Sequence, residues 1–98
     1  MRVKILSIAE LDLEEGFRFY ESQASALGSY FLDSLFSDID SLAYFGGIHP
    51  MLFGYHRMLS KRFPFAVYYR FSDDEVLVFA ILDCRRNPSW IRKRLMDD

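Results

Sequence analysis

Residues 76–82 read Val-Leu-Val-Phe-Ala-Ile-Leu, an unbroken apolar run between Glu75 and Asp83. A run of strand length with no polar side chain predicts a central strand buried on both faces, since a half-exposed strand would alternate. Such a strand requires a covering layer on each side of its sheet. Phe65 to Phe71 is a second apolar run, and Ser72-Asp73-Asp74 between the two has turn chemistry. The segment from about Gly54 to Phe63 is moderately apolar and strand-like, and Pro64, which cannot donate to a ladder, separates it from Phe65. These runs predict an antiparallel three-stranded meander.

The first half supplies one cover. From Arg2 to Ser7 polar and apolar residues alternate as in a half-buried strand. Ser7 and Glu10 have the spacing of a capping box, and Asp12, Glu14 and Glu15 fall near the positive end of the helix dipole. Leu13, Phe17, Tyr20, Ala24 and Leu27 then form one helical stripe, with Gly28 as its stop. A second stripe, Leu32, Leu35, Ile39 and Leu42, ends at Gly46-Gly47. The stripes predict an α-helical hairpin that packs a core and holds no cofactor.

The tail from Arg85 to Leu95 is basic, with Pro88 suited to the first turn of a short helix and Trp90 expected to pack. The tail or a partner is left to cover the second face. The expected fold is therefore α+β: an N-terminal strand, a helical hairpin, a three-stranded meander and a short basic tail. With 98 residues and 51% apolar content, residues 1–98 make a single domain.

Charge divides along the chain. Residues 1–50 carry three basic and eight acidic side chains, whereas residues 51–98 carry nine basic and six acidic ones. A basic working face opposite an acidic scaffold is one reading of that asymmetry, and solvated charge without a role is the other. No apolar run approaches the ~20 residues that span a bilayer, and the alternating start does not resemble a secretion signal. Cys84 stands alone, and no Cys/His spacing resembles a zinc site, so a reducing cytoplasm, no metal and no cofactor are expected. Cys84 itself is expected to act as a small hydrophobe. His49 and His56 read as loop or strand-edge residues, and at least one of Tyr68 and Tyr69 as core.

Four stretches together resemble the RelE/ParE toxin family: Ala9-Glu10-Leu11-Asp12-Leu13, Gly54-Tyr55-His56-Arg57-Met58-Leu59, Lys61-Arg62-Phe63-Pro64-Phe65-Ala66-Val67-Tyr68-Tyr69 and Arg85-Arg86-Asn87-Pro88. The third and fourth are the more specific. The resemblance implies the toxin of a type II toxin-antitoxin pair, held in a hetero-oligomer by a cognate antitoxin that folds against the basic half. It leaves two targets open. Some relatives cut messenger RNA in the ribosome, while ParE-like relatives poison DNA gyrase without a catalytic step of their own.

Cleavage through a 2′-hydroxyl needs a proton acceptor, a proton donor and cations for the crowded phosphate. Arg57, Lys61, Arg62, Arg70, Arg85 and Arg86 could supply the cations. Nuclease relatives tend to place a His or Tyr near the C-terminal end, and this tail has neither. The resemblance therefore leans to the gyrase-directed branch, with Arg57, Arg62, Arg85, Arg86 and Trp90 as the target-binding surface. Under the ribonuclease alternative, Lys61, Arg62 and Arg86 are the phosphate-stabilising residues. A non-toxic relative that only binds antitoxin is the third reading.

Overall fold

The computed structural model describes residues 1–96. In chain order the elements are β1 (Arg2–Ile5), α1 (Ser7–Glu21), α2 (Leu27–Asp40), α3 (Leu42–Phe45), β2 (Met51–Leu52), β3 (Tyr55–Leu59), β4 (Phe65–Ser72), β5 (Glu75–Asp83) and α4 (Pro88–Met96). The strands form one sheet in the order β1-β5-β4-β3-β2, with β1 parallel to β5 and every other pair antiparallel. β5, apolar from Val76 to Leu82, is an inner strand, as that run requires.

The meander is longer than expected by one strand. Met51 and Leu52 pair with His56 and Tyr55 across a turn whose two residues, Phe53 and Gly54, have φ of 52° and 84°. Two successive positive φ values are the geometry of a tight hairpin. Gly54 adopts it freely, but Phe53 does not advertise it, which is why β2 is hard to read in the sequence.

The two sheet faces carry two cores. Val67, Tyr69, Val76, Val78 and Ile81 face the helical hairpin and pack with Leu13, Phe31, Leu35, Ile39 and Leu42. Ala66, Tyr68, Ala80, Leu82 and Tyr55 face the other way, under Ile91 and Leu95 of α4. Tyr68 and Tyr69 are thus both buried, one on each side. Along β5 the alternation slips once. Tyr68 pairs with Ala80 and Tyr69 with Val78, leaving Phe79 as the extra residue of a β-bulge. Phe79 consequently shares a face with Ala80 and meets Tyr55 edge-on at 5.3 Å.

Helix boundaries depart from the stripes. Leu6 still donates its amide to Val78 across the sheet, so the helix cap falls on Leu6 and Ser7 is already helical; the Ser7–Glu10 capping box does not form. α1 stops at Glu21, short of Ala24 and Leu27. Its last side chain then accepts hydrogen bonds from the amides of Ala26 (3.1 Å) and Gly28 (2.9 Å), satisfying donors at the start of α2. The residue with a left-handed backbone is Ala26, at φ 70°, so Gly28 is not a stop but part of the first turn of α2. It is glycine because a Cβ there would lie 2.8 Å from the Phe17 carbonyl oxygen. α2 runs to Asp40, and the last part of its stripe, Leu42, belongs to the separate turn α3.

Gly16 has a comparable role in the core. A Cβ on it would sit 2.5 Å from the tip of the Phe31 ring, which is fully buried. Gly16→Ala is expected to destabilise the chain by about 1–2 kcal/mol, the overpacking penalty less the gain in helix propensity. Phe31→Leu in the same chain is expected to relieve part of that loss. Urea denaturation of both variants checks the pair.

Candidate functional site: the basic end of the sheet

The end of the sheet where β4 begins and β5 ends gathers most of the cations singled out in the sequence. Phe65 pairs with Asp83, and the Cys84 amide donates to the Pro64 carbonyl at 2.8 Å, so the loop carrying Lys61 and Arg62 lies beside Arg85 and Arg86. Asp38, buried on the core stripe of α2, holds that loop from below. Its Oδ2 accepts from the Ser60 hydroxyl (2.7 Å) and the Lys61 amide (3.3 Å). A carboxylate on the same stripe as Leu35 and Leu42 was the sequence signal for this anchor.

The cations are not equivalent. Arg85 chelates Asp83 through Nε (3.0 Å) and Nη2 (2.7 Å). The guanidinium hydrogen bonds hold the Asp83 carboxyl below its usual range, against a smaller opposing effect of burial. Arg86 reaches Glu15 at 3.2 Å and stacks on Trp90, with its guanidinium carbon 4.1 Å from the ring centre. Trp90 is 38% exposed, so it does not pack the tail; Ile91 and Leu95 do. Arg57 is half-buried and donates to the Tyr68 hydroxyl (3.3 Å) and the Cys84 sulfur (3.5 Å), which gives Cys84 a polar contact beyond plain packing. Lys61 and Arg62 are exposed and have no ion pair with a described carboxylate, so their charge faces solvent, whereas Arg57 is held against Tyr68 and Cys84. Arg70 is apart from this group. It donates to the Gly54 carbonyl and lies 3.9 Å above the Tyr55 ring, holding the β2–β3 turn.

Two residues that the sequence did not mark as site residues complete the site. Arg94 makes a two-pronged ion pair with Asp12, both contacts 2.7 Å, and Asp12 also accepts from the Ile81 amide. This pair fastens α4 to α1 and β5. Tyr20, a core residue, lies near Arg85, and burial pushes its phenol above the usual value. Asp12, Gly16, Phe19, Asp83, Arg86 and Trp90 line a cleft of about 250 Å³ here.

The imidazoles lie elsewhere. His56 pairs with Tyr69, toward the far end of β4, and stacks on its ring at 5.0 Å. The Tyr69 hydroxyl accepts from the Gly47 amide (2.9 Å) and the His49 amide, which leaves its own proton for His49 Nδ1 at 2.6 Å. His56 Nδ1 in turn donates to the His49 carbonyl at 2.8 Å. This clasp needs His49 neutral. Burial, with the nearby His56, lowers the His49 pKa from 6.5. A base with a depressed folded pKa contributes stability that is complete above about pH 6.5 and is lost as pH falls through the folded value. Thermal melting from pH 8 to pH 5 should therefore show a fall in Tm for the native chain that is shallower in His49→Asn.

Among the described residues there is no cluster of metal-ligating side chains, and no helix is long and apolar enough to cross a membrane. No family model and no curated protein matches the sequence. Among solved structures, a chain of the chromosomal ParDE TA system from P. aeruginosa superposes with a TM-score of 0.69 at 19% identity, over 83% of this chain and 92% of that one. The chain has a RelE/ParE-like fold. In that frame the sequence motifs fall on the elements that build the basic end: Ala9–Leu13 opens α1, Tyr55–Leu59 is β3, and Arg85-Arg86-Asn87-Pro88 joins β5 to α4. Asn87 caps α4, its Oδ1 accepting from the Ser89 amide at 2.8 Å, with Pro88 as the first helical residue.

Proposed function

We propose that the chain is the toxin of a type II toxin-antitoxin pair, that a cognate antitoxin silences it in a hetero-oligomer, and that it inhibits DNA gyrase without catalysis in the cytoplasm. The fold shared with a ParDE chain carries this reading. The basic end of the sheet supports it chemically, because Lys61, Arg62, Arg85, Arg86 and Trp90 present cations and an aromatic on one exposed surface, the residue types favoured at binding hot spots. The imidazoles are engaged away from these cations, His49 with the Tyr69 hydroxyl and His56 with the His49 backbone carbonyl. That arrangement suits binding better than proton transfer.

The antitoxin needs a different seat from the meander face, since α4 already covers it. One open apolar surface is a groove of about 620 Å³ between α1, α2 and β1, floored by Ile5, Leu13, Phe17, Leu32 and Phe36 and rimmed by Glu10, Glu14 and Arg18. An amphipathic helix fits such a groove.

Arg62→Ala combined with Arg86→Ala is the test. Arg62 has no ion pair with a described carboxylate, and the Arg86–Glu15 pair is exposed, so folding should change by less than ~1 kcal/mol. Loss of two hot-spot cations should weaken target binding by about tenfold or more and restore colony formation on induction. Undiminished growth arrest by the well-folded double variant would refute the assignment of this surface.

A further inference from the structure

Residues 41–56 contain no Lys, Arg, Asp or Glu, in a chain that is 27% charged. This segment is not buried. Tyr44 is 86% exposed, Ile48 72%, Phe45 58% and Met51 57%. These side chains are neighbours on one corner of the molecule: the Ile48 amide reaches the Phe45 carbonyl, and Met51 pairs with His56. The half-exposed Phe71 ring fills the space between, against Gly46 and Gly47 and 5.5 Å from the His56 ring. The corner is held rigidly, because the Tyr69 hydroxyl clasps Gly47 and His49 from the core side. It also contains the two-residue β2, the last strand of the sheet, whose edge carries no charged side chain.

We propose that this corner is the contact surface of a homodimer, in which two copies meet β2 against β2 about a two-fold axis. Isologous contact brings groups near the axis close to their own images, and residues 41–56 place no charged side chain there; the Met1 ammonium, which donates to the Ala43 carbonyl at 3.1 Å, lies at the margin of the patch. A strongly charged partner gains no ion pair here, which separates the corner from both the basic end and the Glu-rimmed groove. The exposed parts of the five side chains amount to on the order of 600 Å², at the upper end for a patch left on a monomer and at the lower end for one side of a specific interface. The dimer should accordingly be of micromolar strength.

Sedimentation equilibrium of the full chain from roughly 2 to 200 μM, the range that brackets such an affinity, reads the outcome directly. The expected result is a mass rising from 11.6 kDa to twice that value. Ile48→Asp buries a carboxylate from each copy in the contact surface and should weaken dimerisation at least about tenfold, while Ile48→Val should leave it intact. Ile48 is exposed, and unchanged Tm values would show that both variants fold. A monomer throughout the range overturns the proposal, as does a dimer indifferent to Ile48→Asp. So does a monomer whose residues 44–51 shift in NMR spectra on addition of an antitoxin segment, which would give the corner to that partner instead.

Discussion

Arg94→Leu is expected to destabilise the chain by about 3 kcal/mol. Asp12 is largely enclosed between α1, β5 and α4, and among the described residues Arg94 and the Ile81 amide compensate its charge. Removing the cation leaves a carboxylate with no counter-ion in a largely enclosed site, and breaking a pair of this kind costs several times what an exposed pair contributes. Burial already raises the Asp12 pKa above 3.8, and the Arg94 hydrogen bonds and the Ile81 amide pull it partly back. Without Arg94 the upward shift grows. The penalty is then present at neutral pH and fades as pH falls through the raised pKa, because the protonated acid needs no cation. Asp12→Asn in the Arg94→Leu background should recover much of the loss, as the neutral amide can still accept from Ile81. Urea titrations at pH 7 and pH 5 check both statements. A loss below about 1 kcal/mol would mean that the pair behaves as a solvated surface contact.

Phe31→Ala is expected to cost about 4 kcal/mol. Phe31 is fully buried, with ring centres at 5.2 Å from Tyr20, 5.1 Å from Phe63 and 4.9 Å from Phe65, so it joins α1, α2, the β3–β4 loop and β4. Its removal takes away transfer energy and leaves a cavity that four elements cannot easily close around. Against a total stability of roughly 5–15 kcal/mol, the variant should retain the fold only marginally, with a urea midpoint reduced by a third or more. A loss under about 2 kcal/mol would show that Tyr20 and Phe63 collapse into the space. Because Phe63 adjoins Arg62 and Tyr20 adjoins Arg85, the same variant should loosen the basic end.

Local patterns made most of the architecture legible. The seven apolar residues of β5 require an inner strand covered on both sides, and the stripes through Leu13 and Leu35 place two helices on one of those sides. The positions that misled are those where tertiary contacts overrule local preference. Ser7 has the right spacing to cap, but the sheet extends through Leu6 and takes the cap position. Gly28 resembles a helix stop, but its lack of a side chain serves the close passage of Phe17. Trp90 is the largest apolar residue of the tail, yet the helical period puts Ile91 and Leu95 inward and leaves Trp90 as a platform for Arg86. At the site, the motifs indicated Arg62, Arg85 and Arg86 but not how they meet. The Asp12–Arg94 contact joins residues 82 positions apart, and nothing local in either helix announces it.

The most direct test of the proposed function is to induce the chain alone in growing bacteria and follow the rates of DNA and protein synthesis together over the first minutes. The gyrase-directed reading predicts that DNA synthesis falls first, with a DNA-damage response, while protein synthesis declines later. An early fall in protein synthesis with codon-associated cuts in messenger RNA would contradict it and turn attention to Lys61, Arg62 and Arg86 as phosphate-stabilising groups of a ribonuclease. Unchanged rates of both would contradict toxicity itself.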